Sequence, residues 1–409
     1  MSVINSFPGY EFKKCEDGKY HNMYRGVDLS FGGYVYSEPG YYEDVALLDA
    51  ASLHAYSIVL LNKLGPYTER YEQLLNARIA IKHREYDRVS EMFDGKFAKY
   101  LHNDDDAYKL SNVLKRPISS FYGISTANFS NPARDKMDKN NIIALRGALF
   151  MKTLQDEVNK RGFHVIHVKT DSVKIPNATD EIISFVQEFG RKYGYTMEHE
   201  CTYKKLCLVN KAVYIAKYDE CGIRNKGGKH ANEWTATGTQ FQVPYVFKTL
   251  FSHEPIEKRD LCETKSVTRG GQIYLNFNEE MIAPYISEIE ELREELLHMD
   301  KGVMAVKKRI KELQEKIDNT RNLRFVGKCG LFTPVVPGAG GGILLRSTDE
   351  TLEKFAAVTG TTGYRWIESE LLDYENDRDK IDKGYFRRLV DEAYAEIGKY
   401  CDPEAFMRD

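Results

Sequence analysis

Residues 165–175 read VIHVKTDSVKI. Two β-branched, partly alternating runs, Val165 to Val168 and Val173 to Ile175, flank the polar centre Lys169-Thr170-Asp171-Ser172. This pattern predicts two strands joined by a tight turn. Asp and Ser are ordinary turn residues, because their side chains hydrogen-bond nearby backbone. The turn alone does not set Asp171 apart. Its meaning depends on what the rest of the chain brings beside it.

Upstream, Val45-Ala46-Leu47-Leu48-Asp49 reads as a buried strand ending in an acid, with a helix-compatible segment after it. From Glu69 to about Tyr100 the chain is highly charged with helical spacing. Asn103-Asp104-Asp105-Asp106 reads as a turn and helix start, and AYKLSNVLKRPISSFYG (107–123) continues that helix. These segments predict a helical arm projecting from a sheet, with a kink or break at Pro117. A helix at about 141–160, stopped by Gly162, leads into the opening hairpin. A helix at about 179–192 and a strand-rich stretch at 195–219 follow. The order predicts an α+β fold, an antiparallel sheet covered by helices on one face.

Farther on, CGIRNKGGKHANE (221–233) is a basic, glycine-rich loop. Between Ile289 and Ile317 apolar residues step by threes and fours, a coiled-coil seam weakened by Gly302. It predicts one long helix or an antiparallel helical hairpin. The glycine run in PVVPGAGGGILLR (334–346) lacks the Lys-Ser/Thr of a P-loop, so a hairpin turn is expected there. A final helix covers YFRRLVDEAYAEIGKY (385–400).

Composition sets outer limits. A chain of 409 residues with 29% charged and 42% hydrophobic residues has room for two or three domains. The net charge of -3 does not advertise a polyanionic ligand, so any basic surface is local. No apolar run approaches bilayer length, so no membrane association is expected. The opening MSVINSFPGYEFKK lacks a signal-peptide pattern. Seven dispersed cysteines without a CxxC pair suggest reduced thiols, and a cytoplasmic location is expected.

Asp49 and Asp171 share one context, each at the end of a β-run near the middle of the same predicted sheet. Two carboxylates there suit a pair of Mg²⁺ ions, which need few protein ligands when substrate phosphates supply the rest. Arg78 and Lys82 share a helix face on the arm. With Lys115, they are candidates to grip a triphosphate.

At this point the chain resembles a family. DAASLHAYSIVLLN (49–62) resembles the first palm motif of family B DNA polymerases, D-x-x-S-L-Y-P-S-I followed by Asn, with Asp49, Ser52, Leu53 and Asn62 on matching positions. KRPISSFYG (115–123) resembles the fingers motif K-x-x-x-N-S-x-Y-G, with Ser119 in place of Asn. KTDS (169–172) resembles D-T-D-S. Lys211-Ala212-Val213-Tyr214 is similar, more loosely, to K-K-R-Y, and Arg78 and Lys82 match the basic pair of the first fingers helix. The four segments fall in the family's order and cover about 30–250.

The resemblance implies a right-hand polymerase fold. Its divisions would be an N-terminal segment with the first part of the palm (1–68), fingers (69–125), palm (126–235), a helix-rich thumb (236–321) and a C-terminal β/α region (322–409). It implies template-directed transfer from a dNTP to a primer 3′-hydroxyl. Asp49, Asp171 and the backbone of Ala50 would hold two Mg²⁺, with Mn²⁺ as a substitute. Ser52, Leu53, His54, Arg78, Lys82, Lys115, Ser119 and Tyr122 would meet the nucleotide. Gly123, Thr170, Lys211 and Tyr214 would meet primer-template DNA.

Departures from the pattern carry expectations of their own. Lys169 replaces the first acid of D-T-D-S, which is not normally a direct metal ligand in the family. His54 replaces the tyrosine that blocks a ribose 2′-hydroxyl, so weaker exclusion of ribonucleotides is expected. Ala55 and Tyr56 replace Pro-Ser. Only about thirty residues precede the palm, so no proofreading exonuclease is expected in this chain. A separate exonuclease chain or other replication proteins would be partners, as in a phage-type system working in a bacterial cytoplasm. Two alternatives stand beside this reading: a noncatalytic DNA-binding polymerase-like subunit, and a primase-like, RNA-making nucleotidyltransferase.

Overall fold

The computed structural model describes residues 6–127, 129–131, 140–268, 271–299, 301–347 and 354–408. The chain divides into two compact units, residues 1–241 with 396–409, and residues 242–395.

The first unit is built on a seven-stranded antiparallel sheet. A three-stranded sheet precedes it: β1 (Tyr10–Lys14), β2 (Tyr20–Tyr24) and β3 (Val27–Asp28). The sequence reading did not anticipate this small sheet. Phe7, Tyr24 and Leu29 anchor it in the main core. The large sheet then takes β4 (Val35–Ser37) and β5 (Gly40–Ala50). The helices α1 (Leu53–Leu60), α2 (Thr68–Lys82), α3 (Tyr86–Glu91) and α4 (Asp104–Thr126) form the arm between its strands. Next come α5 (Ile142–Lys160), β6 (His167–Lys169), β7 (Ser172–Pro176), α6 (Asp180–Lys192), β8 (Met197–Leu208), β9 (Tyr214–Tyr218) and β10 (Trp234–Thr237). The strand order is β10-β9-β8-β5-β7-β6-β4. The opening hairpin is thus β6 and β7, and β5 lies between β7 and β8.

Alternation along β5 explains its unbroken apolar run. Ala46, Leu48 and Ala50 join the core under α5 and α6, with Val173, Ile175, Leu149, Phe150 and Val186. Val45 and Leu47 point the other way, into a second buried cluster with Ile166, Cys201 and Tyr203. The sheet is therefore apolar on both faces at its centre, and helices cover one of them. Asp49 follows Leu47 by two and shares the face that α5 and α6 leave free.

The arm has a core of its own. Tyr71, Leu75 and Ala80 of α2 pack with Leu110, Leu114 and Ile118 of α4. The Tyr71 hydroxyl donates to the Ile118 carbonyl at 3.0 Å. Asn103 caps α4 by accepting from the Asp106 N–H at 2.9 Å. Of the kink or break expected at Pro117, the break is absent, because α4 runs through it. Pro117 lies on the exposed side, as does Val113, whose carbonyl loses its helical donor. Solvent can satisfy that carbonyl, which lowers the cost of the proline.

Residues 396–409 belong to the first unit. The Lys205 ammonium donates to the carbonyls of Ala405 and Phe406 at the end of a short helix, Pro403–Met407. A cation on free terminal carbonyls is favourable.

The second unit holds two sheets. One joins the strands Glu263–Ser266, Cys329–Val335 and Arg365–Glu368. The other joins Leu323–Gly327, Ile273–Asn276, Ile343–Ser347 and Phe355–Ala357. The latter takes strands from both sides of 321/322. The glycine run at 338–342 is not the expected hairpin turn. The strands on either side of it lie in different sheets, so the run carries the chain from one to the other. A Cβ on Gly341 would lie 2.4 Å from Val335, and one on Gly342 would lie 3.0 Å from the Asn276 backbone. Glycine there permits close passage. Of the two expectations for the 289–317 seam, the helical hairpin holds. Gly302 (φ 82°) separates helices Glu279–Leu297 and Val303–Asn319. Pairing of Arg309 with Glu288, and of Lys316 with Tyr285, shows that they run antiparallel.

Candidate two-carboxylate active site

Asp49 stands opposite Ser172 in the β5–β7 ladder, one residue from Asp171. The Ala50 N–H donates to the Asp171 carbonyl at 2.7 Å. The two acids predicted from sequence are therefore fixed together by backbone.

The turn is tight. Thr170 and Asp171 alone connect β6 to β7. The Asp171 N–H reaches back to the Lys169 carbonyl at 2.6 Å, and Thr170 adopts a left-handed conformation, φ 58°. A β-branched residue there costs roughly 1–3 kcal/mol, and such strain is held only where surroundings impose it. The Thr170 N–H donates to the Tyr34 carbonyl at 3.0 Å. A Cβ on Gly33 (φ 126°) would lie 3.1 Å from the Thr170 methyl. Gly33 thus lets the segment leading into β4 close over the turn. Gly33→Ala is expected to destabilise the chain by about 1–2 kcal/mol and to lower the activity proposed below more than tenfold by displacing Asp171. Equilibrium unfolding and steady-state rates, measured together, check this.

The entry to α1 is strained as well. Ser52 precedes that helix in the left-handed region, φ 58°. The Ala51 N–H is held by the Thr196 carbonyl at 2.9 Å. Leu53 is buried against Gly147 of α5, where a Cβ would come within 2.7 Å of the leucine side chain. Small-residue packing against α5 therefore sets where α1 begins, and with it the backbone around Ser52 and Leu53.

Electrostatics at the site are dominated by acids. Asp49 is pushed up to about 8, by burial first and then by Asp171, Glu200 and Glu198, against a lowering influence from Lys82. Asp171 is raised too, by burial foremost and then by Glu200. Like charges gathered on a partly desolvated sheet favour protonation or a bound cation. Glu198 and Glu200 were not singled out from sequence. Their signal was Glu198-His199-Glu200 within a strand, two acids on one face, and it becomes legible only once β8 is known to flank β5. Glu198 accepts from Asn225 at 3.1 Å and lies 3.0 Å from the His83 ring.

The donor set suits Mg²⁺. Asp49 and Asp171 offer carboxylate oxygens side by side, the donor type a hard cation that also takes substrate phosphates requires. Among the described residues, no group of three or more His, Cys, Asp or Glu side chains is arranged to hold a metal ion by itself.

The nucleotide candidates fall into two groups. On α2, Lys82 is exposed and close enough to influence Asp49, whereas Arg78 is half-buried, and its Nε has no hydrogen-bond partner among the described residues. Burial lowers the Arg78 pKa. On α4, Lys115, Ser119 and Tyr122 share one face at i, i+4 and i+7, with Lys115, Ser119 and Gly123 exposed. The rings of Tyr122 and His54 meet at 4.4 Å between centroids. Asn141, also missed from sequence, donates to both the Tyr122 hydroxyl (3.2 Å) and the Phe31 carbonyl (2.7 Å). Buried His54 Nε2 has no hydrogen-bond partner among the described residues.

Lys211 and Tyr214 lie at the β8–β9 turn, apart from the carboxylates but joined to their sheet by a buried relay. The Lys174 ammonium donates to His167 Nδ1 at 3.0 Å, and His167 Nε2 donates to the Lys211 carbonyl at 3.3 Å. Lys174 also sits 4.5 Å over the Tyr214 ring. Burial pushes Lys174 down to about 8 and His167 down to about 3, so the imidazole is neutral and can accept at Nδ1.

No family model and no curated protein sequence matches this chain. Among solved structures, the family B DNA polymerase from the hyperthermophilic archaeon Pyrobaculum calidifontis is similar, with a TM-score of 0.42 and 12% identity over 94% of this chain and 49% of that one. The chain spans about half the length of that polymerase. No helix among the described residues is long and apolar enough to cross a membrane.

Proposed function

We propose that this chain is the catalytic core of a template-directed DNA polymerase, transferring a nucleotidyl group from a dNTP to a primer 3′-hydroxyl. The observation that carries this reading is the backbone coupling of Asp49 to Asp171 among further acids on the sheet face that α5 and α6 leave free. The motif resemblance assigns the same two residues. In the reaction, the primer 3′-oxygen bonds to the α-phosphorus while the bond to pyrophosphate breaks and the hydroxyl proton leaves to solvent. Bound Mg²⁺ would activate that hydroxyl and neutralise charge on the leaving oxygens. Asp49, Asp171 and the Ala50 carbonyl would hold the ions. Lys82 and Lys115, with Arg78, would clamp the triphosphate, and backbone near Ser52 and Leu53 would orient it. Tyr122, braced by Asn141 and His54, would pack on the nascent base pair, with Ser119 beside it. Gly123, Thr170, Lys211 and Tyr214 would line the DNA, with the Lys174–His167 relay fixing the Lys211 backbone.

A specific observation supports a second reading, RNA synthesis. His54, packed 4.4 Å from the Tyr122 ring, stands where the resemblance puts the tyrosine that excludes a ribose 2′-hydroxyl, and its ring is smaller. Primer extension with dNTPs against NTPs, with Mg²⁺ and again with Mn²⁺, tests both. Extension with dNTPs supports the first reading, exclusive use of NTPs the second, and absence of both refutes both.

Lys115→Ala is expected to raise KM for dNTP about tenfold while primer-template affinity changes little. A charge-assisted hydrogen bond contributes roughly 1.5–3 kcal/mol, and 1.36 kcal/mol is a factor of ten. Unchanged KM and kcat in steady-state assays would make Lys115 an ordinary surface charge.

A further inference from the structure

The small sheet β1-β2-β3 has two chemically distinct faces. In the β1–β2 ladder Tyr10 stands opposite Tyr24, Phe12 opposite Asn22, and Lys14 opposite Tyr20, so these six residues share one face. Glu11, Lys13, His21 and Met23 share the other, and Asp28, opposite Met23, joins them. Asp17 and Asp28 both bond the His21 ring there. The acids of this sheet therefore sit with His21, while the opposite face presents aromatic rings and the Lys14 cation.

Those rings form a continuous stripe. Phe12 and Tyr20 are stacked, 5.1 Å between centroids and 28° between planes. Phe12 meets Phe31 edge-on at 6.3 Å. Tyr20 is 54% exposed and Phe31 43%, although neighbouring Phe7, Tyr24 and Leu29 are buried. Exposed, mutually stacked rings have an unexplained cost unless something covers them. The stripe is anchored at one end, because Asn141 holds both the Phe31 carbonyl and the Tyr122 hydroxyl.

We propose that this aromatic face carries single-stranded template on its way to the site, with unpaired bases stacking on Tyr20, Phe12 and Phe31 and backbone phosphate meeting Lys14. The inference rests on the polymerase reading above and extends it. Ring stacking is sequence-tolerant, because every base offers a π-face, and a cation beside it answers the phosphate charge. The face free of carboxylates is the one a polyanion could approach, and the Asn141 link makes it continuous with the residues assigned to the nascent base pair.

The test uses the full chain and two DNAs, a primer-template with a short 5′ template overhang and the same duplex cut blunt. 2-Aminopurine within the overhang reports stacking by its quenching. Tyr20→Ala combined with Phe31→Ala removes two rings that are about half exposed, and a thermal melt of the double variant checks that it stays folded. The double variant is expected to bind the overhang substrate roughly tenfold or more weakly, lose the overhang quenching, and bind the blunt duplex as wild type does. Tyr20→Phe, which keeps the ring, is expected to behave as wild type. Equal loss on both DNAs, or unchanged quenching, overturns the proposal, as does a change of oligomeric state alone, which would mark the stripe as a self-association surface. If wild type neither binds nor extends any primer-template, the polymerase reading fails. If wild type extends normally and the double variant is indistinguishable from it, only the stripe fails.

Discussion

Asp171→Asn is expected to reduce primer extension by about a thousandfold or more, with primer-template affinity within a few-fold of wild type. Both turn hydrogen bonds at Asp171 use its backbone, the N–H to Lys169 and the carbonyl from Ala50. Asparagine keeps both, and it tolerates turn conformations as well as aspartate does. What the substitution removes is one negative charge aimed at the sites proposed for Mg²⁺. Losing a single preorganised stabilising group at a reacting centre costs roughly 10²–10³-fold, and a direct ligand for two ions should cost at least that. On the proposed reading, DNA affinity would rest on phosphate contacts elsewhere and is expected to weaken with salt equally in both proteins. Single-turnover extension and anisotropy, side by side, decide the matter. Wild-type-like extension by the variant in Mg²⁺ would remove Asp171 from the chemistry. Parallel loss of binding and rate would point to a collapsed turn.

Where this site could be read from sequence, the reason was local. The β6–β7 hairpin shows itself as two β-branched runs around four polar residues. Strand β5 shows itself as an apolar run closed by an acid, and α4 by its Asn103 cap. Pairing information is nonlocal, and what depended on it was lost. Glu198 and Glu200 enter the carboxylate cluster only because β8 is the other neighbour of β5. Asn141 matters only because α5 begins beside both Tyr122 and Phe31. The glycine run at 338–342 looks like a hairpin turn until its flanking strands are seen in different sheets. Thr170 was invisible as a left-handed residue because intrinsic preference argues against it, and tertiary contacts with Tyr34 and Gly33 impose that conformation. Local preference yields where function concentrates strain.

Asp49→Asn is expected to make the metal-free chain more stable, not less, and to abolish its response to Mg²⁺. The native pKa of Asp49 is pushed up to about 8 by burial and by Asp171, Glu200 and Glu198, against roughly 3.9 in an unfolded chain. Between those values the native state binds more protons than the unfolded state, so stability falls as pH rises from about 4 to about 8 and levels off above. In chelator at pH 8, the wild type therefore carries an uncompensated carboxylate that asparagine removes. One pKa unit corresponds to about 1.36 kcal/mol. A gain of about 1.5–3 kcal/mol is expected at pH 8, after allowing for the charge that Asp171 and Glu200 keep. At roughly 2–4 °C per kcal/mol the melting temperature should rise several degrees. At pH 4 the two proteins should melt together. Mg²⁺ bound only by the native state should raise the wild-type midpoint at pH 8 by mass action and leave Asp49→Asn nearly unmoved. Thermal melts over that pH range, with chelator and with Mg²⁺, check every part. An Asp49→Asn chain less stable than wild type in chelator at pH 8 would mean that the carboxylate is a structural acceptor, and the cluster would then lose its character as a site poised for a cation.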